Sequence, residues 1–132
     1  LYGEPEGLHF ECWTTLAAVA AAVPRIRIGA LVTGNTYRHP AVLAKMAANV
    51  DVISGGRLDL GLGWGSTPEE LTRFGFARDA PLERVRRLVE AIEIVRLMFS
   101  GEPFTYRGTH HQLEDAIGRP TPVQQPVWSP SR

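Results

Sequence analysis

The chain has 132 residues, enough for one domain with a core and too few for two ordinary ones. Its 14 basic and 14 acidic side chains cancel and are spread without runs, which argues against a nucleic-acid stripe or an anionic membrane surface as partner and leaves a small-molecule ligand open. Cys12 stands alone, so no internal disulfide forms, and the longest wholly apolar run, Leu16 to Val23, falls far short of the roughly 20 residues that span a bilayer.

With no signal-peptide pattern at the start, a soluble protein of the reducing cytoplasm is expected. Cys12 reads as a small core residue. Leu1-Tyr2-Gly3-Glu4-Pro5 reads as loop. Phe10, Trp13, Leu16 and Val19, with Ala17 and Ala20 between them, recur at helical spacing, and Pro24 closes that helix. From Arg25 to Val32 an alternating pattern passes into an apolar run, as in a strand becoming buried on both faces. Pro40 opens a second helix with Leu43, Met46, Ala47 and Val50 on one face, ended by Ser54-Gly55-Gly56. Leu58, Leu60 and Leu62 then alternate with Asp59, Gly61 and Gly63 in a second strand, which completes a βαβ unit with parallel strands.

Thr67-Pro68-Glu69-Glu70 has capping-box spacing and predicts a short helix to about Phe74, so Glu70 reads as a cap rather than a catalytic acid. After Asp79-Ala80-Pro81 a longer helix is predicted, with Leu82, Val85, Val89, Ile92, Val95 and Phe99 on its buried side and Ser100-Gly101 at its end. Phe104 to Leu113 predicts a hairpin turning at Arg107-Gly108. Pro120, Pro122, Pro126 and Pro130 leave little room for regular structure before Pro126-Val127-Trp128-Ser129, which reads as a strand just beginning. The sequence is expected to be a piece of a longer chain, because it lacks an initiator methionine and breaks off in that strand.

Two glycine-punctuated strand ends carry the functional signal: Leu31-Val32-Thr33-Gly34-Asn35 and Gly61-Leu62-Gly63-Trp64-Gly65-Ser66. Each sits where a strand hands over to a helix and bare backbone can approach a ligand. As a dinucleotide fingerprint in a doubly wound sheet, Gly61-x-Gly63-x-x-Ser66 lacks its third glycine, and the acids at the right distance, Asp79 and Glu83, fall at a helix start. In a (β/α)₈ barrel both signatures line one pocket at the carboxyl ends of the strands. Trp64 either stacks on a ring or caps the core. His39 reads mainly as a structural group at the strand-to-helix loop. His110 and His111 are adjacent on a predicted strand, so they point to opposite faces and do not share a metal. The pattern offers no zinc, di-iron or nucleophile-and-base arrangement, so neither a metal site nor nucleophilic hydrolysis is expected.

The run from Arg25 through Thr33-Gly34-Asn35-Thr36-Tyr37-Arg38-His39-Pro40 to Lys45, then Asp51-Val52-Ile53-Ser54-Gly55-Gly56-Arg57-Leu58 and Gly61-Leu62-Gly63, resembles the luciferase-like monooxygenase superfamily, and within it the F420-dependent oxidoreductases. Weaker similarity extends through Phe104 to Leu113 and Pro120-x-Pro122-Val123-Gln124-x-Pro126. The resemblance implies an α/β fold: a partial TIM-type barrel from its second helix to the start of its fifth strand, with residues 1–132 as one domain truncated at both ends. It implies hydride transfer with a deazaflavin, coenzyme F420, or with FMN. Leu31, Val32, Thr33, Gly34, Asn35, Trp64, Gly65 and Ser66 would seat the cofactor, with a non-prolyl cis peptide near Leu31-Val32. Trp64-Gly65-Ser66-Thr67 replaces the Ala-Gly-Trp-Asn common in the family, which moves the indole; no catalytic residue is assigned. The rival reading is a non-catalytic fragment or assembly module whose strand edges and apolar helix faces pair with a second copy or a complementing barrel half.

Overall fold

The computed structural model describes residues 7–65 and 68–124. Its elements are helix α1 (Cys12–Ala22), strand β1 (Ile28–Gly34), a 3₁₀ turn (Asn35–Tyr37), helix α2 (Pro40–Ser54), strand β2 (Leu58–Gly63), short helix α3 (Pro68–Arg73), long helix α4 (Pro81–Ser100), and strands β3 (Phe104–Arg107) and β4 (Gln112–Ala116). The expected loop at Leu1–Pro5, Ser66, the capping Thr67 and the expected strand at Pro126–Ser129 lie outside the described residues.

Local chemistry sets these boundaries. The Glu11 carboxylate accepts from the backbone N–H groups of Trp13 (3.0 Å) and Thr14 (2.7 Å), satisfying donors that α1 itself leaves unpaired. Pro40 starts α2 where a missing N–H costs nothing. Strands β1 and β2 pair in parallel, with Ile28 opposite Leu58 and Gly34 opposite Gly63. Their register shifts between Ala30 and Thr33, a span that contains a cis Leu31–Val32 peptide, as the family resemblance implied.

Helix α2 is the centre of the packing. On one side Trp13, Ala20, Ile28, Leu43, Ala47, Val50 and Leu58 join α1, α2 and the sheet in one cluster. On the other, Ala44 meets Ile94, Val95 and Met98 of α4 and Leu113 of the hairpin. Two polar clasps tie the chain across these layers. Arg57 donates to the carbonyls of Ala20 (2.8 Å), Val23 (2.8 Å) and Ile26 (2.6 Å), closing the end of α1. Asp51, wholly buried, accepts from the N–H groups of Val123 (2.7 Å) and Gln124 (3.2 Å) and from Gln124 Nε2 (2.8 Å). Several residues that carry the family resemblance thus hold the frame together.

Several expectations are corrected. Cys12 is exposed, at the first position of α1, where Trp13 rather than Cys12 enters the core. Phe10 precedes the helix and is also exposed. Strand β1 is buried on one side alone: Leu31 is fully exposed and Val32 about half exposed, since the parallel sheet has two strands and helices cover one face. In α4, Val95 is buried and Phe99 partly buried as expected, but Leu82, Val85, Val89 and Ile92 are exposed, and Ala91, Ile94 and Met98 complete the packed side. The hairpin is present, but its connection runs from Gly108 to His111. His110 and His111 therefore lie in the turn, and both rings fold inward against α4.

Candidate functional site

Because β1 and β2 are parallel, their carboxyl ends reach the same edge of the sheet. A Cβ on Gly34 would come within 3.8 Å of the Gly65 Cα, so the two glycine turns are neighbours on one rim. Gly65 has φ +78°, a conformation that a side chain strongly disfavours. Below the rim the alternating glycines of β2 accommodate Val32: a Cβ on Gly61 would lie 2.8 Å from its Cγ1, and one on Gly63 would lie 2.6 Å from its Cγ2. Glycine here is a packing requirement.

The side chains expected to seat a ring differ in what they offer. Thr33 is buried, and its hydroxyl already accepts from Trp13 Nε1 (2.9 Å) and Arg38 Nη1 (3.1 Å). Asn35 is 7 % exposed, and its Oδ1 has no hydrogen-bond partner among the described residues. Trp64 is half exposed and outside the core; the Arg84 guanidinium lies over its ring at 5.1 Å, and Arg84 Nε donates to its carbonyl at 3.2 Å. Leu31 and Val32 present apolar surface on the uncovered side of the sheet. Tyr37 packs beside Gly34, meets Phe76 edge-on at 5.5 Å and donates from Oη to Glu70 Oε2 at 2.8 Å, which fastens α3 to the rim. Burial and then the Glu70 contact push the Tyr37 hydroxyl up to about 12.

A concavity of about 400 Å³ opens lower on the uncovered face, between Arg27–Leu31 and Asp59–Gly61. Of the residues expected to seat a ring it includes Leu31, so it lies beneath the glycine rim rather than within it. At its foot Arg27 Nε donates to Asp59 Oδ2 at 2.9 Å, and that hydrogen bond holds the Asp59 carboxyl below its ordinary value.

His39 caps α2, its Nδ1 accepting from the Ala41 N–H at 3.2 Å, in line with a structural role. Its ring meets His111 edge-on at 5.5 Å. His110 Nε2 lies 2.8 Å from Glu83 Oε1, while Glu90 accepts from the N–H groups of Thr109 (2.7 Å), His110 (3.0 Å) and His111 (3.1 Å) and contacts His111 Nδ1 at 3.3 Å. Burial works to raise the Glu90 carboxyl, but these donors outweigh it and hold the group below its ordinary value. Burial pushes the His111 imidazole down despite its carboxylate neighbour. Among the described residues, no group of three or more His, Cys, Asp or Glu side chains has metal-holding geometry. Asp79 is paired with Arg87 at 2.6 Å and Glu83 with Arg86 at 3.1 Å, both at the start of α4, so neither supplies the strand-end acid of a dinucleotide fingerprint.

Arg84 is the rim residue that sequence reasoning missed. The one signal for it was a cation in the first turn of a helix, where the dipole disfavours positive charge.

Comparison with known proteins places this geometry. The family model described as luciferase-like monooxygenase matches residues 2–131. An F420-dependent glucose-6-phosphate dehydrogenase of Microbacterium testaceum is 39% identical over 115 residues, covering 86% of this chain and 34% of the relative. The crystal structure of the monooxygenase RslO1 from Streptomyces bottropensis superposes with a TM-score of 0.78 at 34% identity, over 88% of this chain and 34% of that one. An F420-dependent secondary alcohol dehydrogenase, solved with an F420-acetone adduct, gives a TM-score of 0.82 at 22% identity, over 92% and 37% of the two chains, a likeness of fold. This chain thus spans about a third of the length of such relatives. Its parallel strands and helices are a segment of the TIM-type barrel of those enzymes. The chain belongs to the luciferase-like monooxygenase family.

Proposed function

We propose that residues 1–132 form one partial barrel domain of an oxidoreductase that transfers hydride with a deazaflavin, coenzyme F420, FMN being the alternative. One observation carries the reading: two backbone-rich turns, at Gly34 and Gly65, stand side by side at the carboxyl edge of a parallel sheet. In a barrel this is the edge at which ligands bind. The residues fit a flat ring. Gly65 leaves its side of the rim bare, Leu31 and Val32 supply apolar surface, and Thr33, Gly34, Asn35, Trp64 and Ser66 complete the set that would hold it. A bound ring supplies the hydride chemistry; the chain contributes binding and orientation. The partner is a small-molecule substrate, and the setting a reducing cytoplasm. No helix among the described residues is long and apolar enough to cross a membrane.

Titrating the purified chain into F420 and into FMN, with ring absorbance and fluorescence as readouts, tests the proposal. Quenching or a band shift with one of them is expected. Unchanged spectra with both at high protein concentration would overturn it.

A second reading, an assembly module that pairs with another copy or with a complementing barrel half, is favoured by the full exposure of Leu31 on an uncovered sheet face. Light scattering should then report a species larger than one chain. A compact monomer contradicts self-association.

A further inference from the structure

Four buried side-chain atoms lack hydrogen-bond partners among the described residues: Asn35 Oδ1, Arg84 Nη2, Arg87 Nε and His110 Nε2. Two of these face carboxylates, Arg87 Nε with Asp79 at 2.6 Å and His110 Nε2 with Glu83 at 2.8 Å. That leaves one acceptor, on Asn35, and one donor, on Arg84. Buried polar groups are nearly always satisfied, so two orphans of opposite kind in one neighbourhood call for an explanation.

Their neighbourhood is the junction of the two glycine turns. Asn35 follows Gly34 directly and precedes Thr36. A Cβ on Gly65 would lie 3.6 Å from Arg84 Nη2 and 3.5 Å from Thr36 Oγ1. Arg84 is not a loose surface cation. Its Nε donates to the Trp64 carbonyl and its guanidinium carbon lies 5.1 Å from the Trp64 ring centroid, two contacts that hold Nη2 in place.

We propose that Asn35 and Arg84 form a recognition pair for a cyclic imide edge, in which a ring N–H is flanked by C=O groups. Oδ1 of Asn35 accepts from the imide N–H, and Nη2 of Arg84 donates to an adjacent carbonyl oxygen. The inference rests on the ring-binding reading above and deepens it by assigning the edge of the ring that meets the rim. An apolar ring edge leaves both orphans unpaired, and a lone carboxylate satisfies Arg84 alone.

Fluorescence titration of the chain with F420, lumiflavin and 3-methyllumiflavin tests this, because methylation at N3 replaces the imide N–H with a methyl group, and the Asn35→Ala variant separates the lost hydrogen bond from the added bulk. The native chain should bind lumiflavin at least about tenfold more tightly than the methylated ring, the loss expected when a buried acceptor is left unpaired. Asn35→Ala should weaken lumiflavin binding about tenfold and abolish the preference. Arg84→Ala should weaken both rings, with partial recovery in Arg84→Lys, while thermal melting monitors the fold. If rings bind but the native chain accepts both lumiflavins equally, the imide assignment is overturned while the ring-binding reading stands; that comparison needs no variant to fold. A preference that persists in folded Asn35→Ala also overturns it. If no ring binds, the broader reading fails and the assignment with it.

Discussion

On the helix-covered side of the β1–β2 sheet, Ile28 and Leu58 meet Leu43, Ala47 and Val50 of α2, whereas the opposite side carries Gly29, Leu31, Val32, Gly61 and Gly63 with no layer above them among the described residues. The same two strands make both sides. On the covered side large apolar groups interdigitate. On the bare side lie glycines and an unshielded leucine. The contrast teaches that packing explains the covered set and the glycines of β2, whose missing side chains make room for Val32, and leaves the exposure of Leu31 and Val32 without an internal reason. Surface that folding leaves unfinished is where a ligand or a further layer belongs.

The contrast can be broken most forcefully from the covered side. Leu43 of α2 is fully buried against α1 and the sheet, so Leu43→Ala should cost about 2–5 kcal/mol in chemical denaturation, through lost transfer energy and the cavity left behind. Gly63→Ala probes the boundary between the two sides. Its new methyl would meet Val32 Cγ2 at 2.6 Å, and a loss of about 1–3 kcal/mol is expected. Val32→Ala in the same chain should return much of that loss; strictly additive effects would show that Val32 is not the obstacle.

The covered side extends to the hairpin, which Glu90 pins to α4. Glu90→Gln should destabilise by about 1–3 kcal/mol, since it weakens charge-assisted bonds to the turn. The pH dependence has a definite sign. Both His111 and Glu90 have depressed values in the folded chain, so each contributes stability that is present above its ordinary value and lost as pH falls through its folded one. Melting temperature should therefore fall as pH drops below the ordinary histidine value of 6.5, and fall further below the ordinary glutamate value of 4.5. Glu90→Gln should reduce the second, carboxylate-linked part of that decline, while Asp59 and Glu11, also held below their ordinary values, keep their shares. The smallest effect is expected on the bare side: Leu31→Ser should change chain stability by no more than about 0.5 kcal/mol, because the side chain is fully exposed. A larger loss would mean that this face is covered in solution.

How far the sequence could be read depends on the kind of signal. Helix α2, strand β2 and their turn were legible because Pro40, the Leu43–Ala47–Val50 face and Ser54-Gly55-Gly56 are local signals that agree with one another. The packed side of α4 was not. The predicted stripe reaches the core at Val95 and Phe99, where Ala91, Ile94 and Met98 join it, but Leu82, Val85, Val89 and Ile92 are left exposed, and periodicity alone does not say how the helix is rolled against α2. His110 and His111 followed a strand-like pattern, yet the Gly108 N–H reaches the His111 carbonyl at 2.9 Å and Glu90 gathers the intervening N–H groups, which turns them into a loop. The glycine rim was visible as two strand ends. Arg84 was not, since nothing in the order of residues says that the first turn of α4 returns to Trp64.

By itself the amino-acid order determined the strand–helix–strand frame and the two places where glycine replaces side chains, because spacing, proline and glycine act through neighbouring backbone. Tertiary structure alone decided that Gly34 and Gly65 stand together, that one sheet face stays bare, and that a distant arginine meets the tryptophan beside them. Those outcomes depend on which surfaces bury each other, and burial is settled by the whole chain at once.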